Sequence, residues 1–185
     1  MNKTAATELH RLFLIEGLPE PLTPASSHVQ IFDGYIRGTR LRLRQIRDPY
    51  SNAWTRLLQQ RFATHDGDLA ESKLAEIHLD EAEFAKFEPL AVAEIRKNRY
   101  FHEFDRHSFA FDVYLGQLRG LNTARVDFQE REEMAEFIPP PFAVYEITND
   151  RYFDGANLIN LQFSEIQTEV ARLGALHGSV EPPDE

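Results

Sequence analysis

Apolar and polar positions alternate with a period of two over many short stretches of this chain. That is the pattern of strands whose two faces meet different surroundings. It predicts strands over residues 7–15, 29–36, 39–47, 54–63, 74–79, 93–101, 108–115, 123–128 and 143–148. Asp33-Gly34, Asp48-Pro49 and Asp66-Gly67 read as turns between them, and the stretch from Leu115-Gly116 to Arg119-Gly120 reads as a hairpin link.

Three helices interrupt the alternation. Asp80-Glu81-Ala82-Glu83 is a capping box, with Asp80 as N-cap and Glu83 reaching back to it. A short helix over 130–137 must end before Pro139-Pro140-Pro141. Ile159, Phe163, Ile166, Val170 and Leu173 form one apolar stripe of helical spacing, predicted to end before Gly174. Many strands and few helices predict an α+β chain, mainly antiparallel β, whose sheet closes into a barrel with flanking helices and a C-terminal helix. No linker, repeat or low-complexity block divides the sequence, which predicts one domain over 1–185, with its core at about 5–173 and a frayed tail over 178–185.

Composition narrows the function. With 185 residues, 42% of them hydrophobic and 27% charged, the chain suits a folded globular domain. No apolar run reaches the roughly 18–20 residues of a membrane span, and no signal-peptide pattern opens the sequence. There is no cysteine, hence no disulfide, thiolate metal site or cysteine nucleophile. These features predict a cytoplasmic protein that acts without a membrane. The net charge of −10 argues against nucleic acid as a partner, because such binding depends on phosphate neutralisation.

Within this acidic chain the basic residues are concentrated. Arg37, Arg40, Arg42, Arg44, Arg47, Arg56 and Arg61 fall in one stretch that holds a single acid, Asp48. In a strand, Arg40, Arg42 and Arg44 share one face and Leu41 and Leu43 the other. Lys97 and Arg99 share a face in the same way. Two readings follow from the pattern: a solvated outer face, or a cavity wall built for several phosphates, for which the planar guanidinium is suited. Acids stand on other strands, namely Glu8, Asp112, Asp127 and Glu146.

The order of these segments resembles the CYTH superfamily of triphosphate tunnel enzymes, which includes class IV adenylate cyclases, thiamine triphosphatases and inorganic triphosphatases. The resemblance runs from Glu8 to about Leu158. It rests on Leu18-Pro19; on the arginine strand Tyr35-Ile36-Arg37-Gly38-Thr39-Arg40-Leu41-Arg42-Leu43-Arg44; on Lys97-Asn98-Arg99; on Phe111-Asp112-Val113-Tyr114-Leu115-Gly116 with Leu118-Arg119-Gly120-Leu121; and on Glu146-Ile147-Thr148 with Tyr152. It implies an eight-stranded antiparallel tunnel whose inward side chains bind a triphosphate and one or two Mg²⁺ or Mn²⁺ ions. The phosphate-binding set it implies is Arg40, Arg42, Arg44, Arg56, Lys97, Arg99 and Arg125. The implied metal set is Glu8, Asp127 and Glu146, with His10 and Asp112 as further lining residues.

The chain also departs from that family. The family's first strand reads E-x-E-x-K, but here Glu8 is followed by His10 and Leu12 at the second acid and the lysine. A later acid pair reads Arg125-Val126-Asp127, and the fourth-strand lysine aligns with Gln60, beside Arg61. The remaining acids suffice for one hard cation and fall short of two. A packing or hydrogen-bonding role for His10 outweighs a metal-ligand one. The resemblance thus implies a metal-dependent phosphohydrolase acting on a small triphosphate or polyphosphate, as a monomer or homodimer. Its main alternative is a non-catalytic phosphate-binding barrel, and adenylate cyclisation ranks below both because no residues identify an adenine site.

Overall fold

The computed structural model describes residues 6–65 and 68–178. Nine strands alternate with short helices: β1 (Ala6–Leu14), β2 (His28–Ile36), β3 (Leu41–Arg47), β4 (Trp54–His65), β5 (Asp68–His78), β6 (Ala91–Phe104), β7 (His107–Tyr114), β8 (Asn122–Phe128) and β9 (Tyr145–Glu146). The sheet runs β5-β4-β3-β2-β6-β7-β8-β1, every pairing is antiparallel, and β1 also pairs with β5. That last contact closes an eight-stranded barrel and removes its free edges.

Closure is unequal along β1. One edge pairs with β8 over residues 9–14, while the other is divided: residues 6–9 pair with β5, and Phe13 and Leu14 pair with β9. Where β1 and β5 part, the segment after β9 fills the gap. Ile147 donates its backbone N–H to the Leu12 carbonyl at 2.8 Å, and the Leu12 N–H donates to Thr148 Oγ1 at 3.0 Å.

This barrel carries its apolar core largely on the outside. Leu9, Phe13, Phe109, Phe111, Ala124 and Val126 face outward from β1, β7 and β8, under Leu18, Leu22, Phe137 and Phe142. A second cluster gathers Leu121, Ile147 and Phe153 with Leu158, Ile166 and Leu173 from two helices, α3 (Gly155–Leu158) and α4 (Phe163–Gly178), which follow α1 (Glu81–Phe87) and α2 (Arg131–Glu136) in the chain. The first cluster is built from outward side chains, while the second includes the inward Ile95 and Tyr114 and closes one part of the interior, so the rest of the inner wall is left mainly to polar and charged groups. No helix among the described residues is long and apolar enough to cross a membrane.

Local chemistry accounts for most elements. The expected capping box holds α1: Glu83 N–H donates to Asp80 Oδ1 at 2.8 Å, and Asp80 N–H donates to Glu83 Oε2 at 2.9 Å. Asp48 organises the β3–β4 hairpin by accepting from Tyr50 N–H and Ser51 Oγ. Asp66-Gly67 and the tail from 179 onward lie outside the described residues.

Three expectations need correction. Asp33-Gly34 is no turn but the middle of β2; the turn comes at residues 37–40, where Gly38 takes a φ of +72°. Gly34 is there because β2 approaches β6 closely: a Cβ would lie 3.0 Å from the Ala91 Cβ. Strand β5 begins at Asp68, well before residue 74; with polar Ser72 on its inner wall, its first half lacks the hydrophobic contrast that marks a strand in the sequence. Helix α4 runs through Gly174, where the helix loses about 1 kcal/mol against alanine and nothing forces a stop, and Ile159 belongs to the end of α3.

Candidate functional site: a charged tunnel

Strand parity places alternate residues of every barrel strand on the inner wall, around a cavity of about 540 Å³. It receives ten of the twelve residues singled out in the sequence: Arg40, Arg42, Arg44, Lys97, Arg99, Arg125, Glu8, Asp127, His10 and Asp112. Eight lysine and arginine side chains line it against six carboxylates, with Arg61 and Arg151 completing the cations. The wall is therefore net positive although the whole chain carries −10.

Cross-strand pairing organises these charges into three clusters. In the first, Asp33 of β2 lies opposite Arg44 of β3 and accepts from its Nε at 2.6 Å and Nη2 at 2.7 Å. Arg42 Nη1 lies 3.5 Å from the same carboxylate, and its Nε donates to Gln59 Oε1 at 3.1 Å. Gln59 then donates to Glu76 Oε2 at 2.9 Å, continuing the row across β4 and β5. Burial pushes the Asp33 carboxyl up, but Arg42 and Arg44 more than reverse this and hold it well below the usual range.

The second cluster joins β6 to β7. Asp112 accepts from Arg99 Nε at 2.6 Å through Oδ1 and from Nη2 at 2.7 Å through Oδ2, and Lys97 Nζ lies 2.7 Å from that same Oδ2. Asp112 is 4% exposed and is likewise held low by Arg99 and Lys97 against the pull of burial. Burial lowers Lys97 to about 8, only partly offset by Asp112.

The third cluster spans β8, β1 and β4. Arg125 donates to Asp127 Oδ1 through Nε at 2.9 Å and Nη2 at 2.6 Å, and Nη2 also lies 3.3 Å from Glu8 Oε2. Arg61 Nη2 reaches that same Glu8 oxygen at 2.7 Å. Burial, then the charges of Arg125 and Arg61, lower His10 to about 2, so it is a neutral imidazole at ordinary pH. Arg40 stands exposed in the bend before β3, with its guanidinium 4.4 Å from the centre of the Phe62 ring.

Two expected residues lie elsewhere. Arg56 pairs in register with Gln45, which points away from the inward Arg44, so it faces the outer wall; it lies 3.6 Å from Glu81. Glu146 pairs in register with the outward Phe13 and shares its face, where Arg11 donates to it through Nε at 3.0 Å. Sequence parity could not place it, because β9 is only two residues long. Conversely, Arg61, not Gln60, lines the tunnel: Gln60 pairs with the outward Leu41. Asp33, Tyr35, Gln59 and Tyr114 also line it, and Asp33 was hidden by its likeness to a turn residue.

Glu8, Asp127 and Glu146 do not converge on one point. Glu146 is on the outer wall, and the other two are neutralised by arginines. Among the described residues no three carboxylates or imidazoles gather into a group able to hold a metal ion. What the wall can do is bind a multivalent anion with planar, multiply donating guanidiniums, each held in place by a carboxylate.

No protein-family model matches the chain. An inorganic triphosphatase of Nitrosomonas europaea is 29% identical over 154 residues, which make up 80% of this chain and 93% of that protein. The solved structure of the inorganic triphosphatase NE1496 superimposes with a TM-score of 0.57 at 24% identity, covering 84% of this chain and 96% of that one. A second structure, of the hypothetical protein NE1496, gives a TM-score of 0.58 at 23% identity, covering 84% and 99%.

Proposed function

We propose that this chain, a triphosphate tunnel of the CYTH kind in its barrel and motif order, binds inorganic triphosphate or a compound carrying a triphosphate and hydrolyses a phosphoanhydride bond in it. The observation that carries this reading is the net positive interior of a closed barrel in a strongly acidic protein. The similarity to an inorganic triphosphatase over most of both chains supports it.

In phosphoryl transfer the protein contributes positioning and charge stabilisation more than covalent chemistry. Arg42, Lys97 and Arg99 stand ready to grip phosphate oxygens, with Arg40 drawing the anion in at an exposed position. Asp33 and Asp112 hold the buried cations in fixed geometry, so little reorganisation is needed when the substrate arrives. As negative charge shifts onto the leaving phosphate, the guanidiniums stabilise it, and Glu8 and Asp127 offer acceptor oxygens to orient the attacking water.

The same set of cations also suits a barrel that binds polyphosphate without cleaving it, a reading favoured by the ion pairs that occupy Glu8 and Asp127. Orthophosphate release from inorganic triphosphate, nucleoside triphosphates, thiamine triphosphate and long polyphosphate separates the two. Turnover of a triphosphate, lost in the double variant Arg40→Gln/Arg42→Gln, supports the hydrolase. Triphosphate-induced thermal stabilisation without turnover supports the binding barrel, and the absence of both turnover and stabilisation would refute the tunnel reading.

A further inference from the structure

The wall made by β1, β4 and β8 holds two carboxylates and two guanidiniums in direct contact. Arg125 and Asp127 are two residues apart on one strand face, so they lie side by side, and Arg125 closes on Asp127 through two nitrogens. It also reaches Glu8, to which Arg61 contributes a second guanidinium from β4. Both carboxylates that a divalent ion would need are thus engaged, and an ion between them would touch a fixed positive charge. A phosphate oxygen arriving there meets the opposite situation, with two guanidiniums able to turn from carboxylate to phosphate.

We propose that Arg125, seconded by Arg61, is a resident cation in place of a divalent metal, so that the tunnel takes triphosphate as the free anion and not as its Mg²⁺ complex. This inference rests on the tunnel reading above and specifies the form of its ligand. Its consequence has a definite sign. Mg²⁺ in solution removes charge from the triphosphate and brings its own charge toward Arg125, so it weakens binding; in a carboxylate-lined tunnel it would strengthen it.

The test is calorimetric titration of the full chain with sodium tripolyphosphate, in excess EDTA and in excess Mg²⁺ at matched ionic strength, since screening alone would alter affinity. The expected result is binding roughly tenfold or more tighter in EDTA, the scale of one lost charge-assisted contact. Arg125→Glu should reverse the order, making binding metal-dependent, and the variant without triphosphate should deplete the free Mn²⁺ signal in electron paramagnetic resonance. Should that variant not fold, Arg125→Gln serves: it should weaken binding in EDTA by a similar factor. Binding of wild type that requires Mg²⁺, or uptake of Mn²⁺ by wild type alone, overturns the inference and leaves the tunnel reading standing. Absence of tripolyphosphate binding in both buffers removes both.

Discussion

Asp112→Asn removes one negative charge from between Arg99 and Lys97 while barely changing the side chain's volume. Both cations are largely buried, and the carboxylate lies 2.6–2.7 Å from them. Breaking a buried ion pair from one side typically destabilises by about 3–5 kcal/mol, because the remaining charge is uncompensated. Asparagine retains one acceptor oxygen, so the lower part of that range applies. For a chain of this size 1 kcal/mol corresponds to about 2–4 °C in Tm, and the variant should melt at least about 6 °C below wild type. Tripolyphosphate should return part of the loss. A ligand at about 100 times its Kd contributes about 2.7 kcal/mol, and in the variant it meets two unpaired cations and binds more tightly than in wild type. Thermal unfolding followed by circular dichroism, with and without tripolyphosphate, reads both effects. A variant melting within about 2 °C of wild type would show that Asp112 is not the partner of those cations. Equal stabilisation of the two proteins by tripolyphosphate would show that Lys97 and Arg99 do not meet the ligand.

Three further outcomes are expected. Because burial, Arg125 and Arg61 lower His10 from 6.5 to about 2, the unfolded chain takes up a proton that the folded one refuses. His10 therefore subtracts stability as pH falls below 6.5, at about 1.4 kcal/mol per pH unit, and His10→Gln should flatten the acid limb of a Tm–pH profile; an unchanged slope would rule that out. Lys97, lowered to about 8 chiefly by burial, is charged below that pH, so tripolyphosphate affinity should decline as pH rises through it, whereas Lys97→Arg should extend binding to higher pH; parallel profiles would contradict this role. Glu146→Gln breaks a half-exposed pair with Arg11 on the outer wall and should alter stability by at most about 1 kcal/mol without changing tripolyphosphate affinity, and a large loss of affinity would return Glu146 to the site.

Period-two alternation is a local property, and so Arg40-Leu41-Arg42-Leu43-Arg44 showed by itself that three arginines share a face opposite two leucines. The capping box at Asp80 and the helical stripe through Ile166 and Leu173 were legible for the same reason: backbone geometry within a few residues sets the spacing. Which face lies inside is not local. It is decided when β1 pairs with β5 and the barrel closes, with Phe13, Phe109 and Phe111 already packed outside against Phe137 and Phe142. Asp33 illustrates the limit from the other side. Its local pattern, Asp followed by Gly, suits a turn; cross-strand pairing to Arg44 and the close passage of β6 make it the buried counterion of the tunnel. Arg61 and Glu146 depended on register, which one residue of slip would invert and which no short segment specifies alone. The sequence by itself determined most of the strands, the charged faces of the arginine and lysine strands, and the order of motifs. Only the closed barrel decided that these faces turn inward and that Glu8 and Asp127 meet arginines, because contacts between residues far apart in the chain exist only once the tertiary packing brings them within hydrogen-bonding distance.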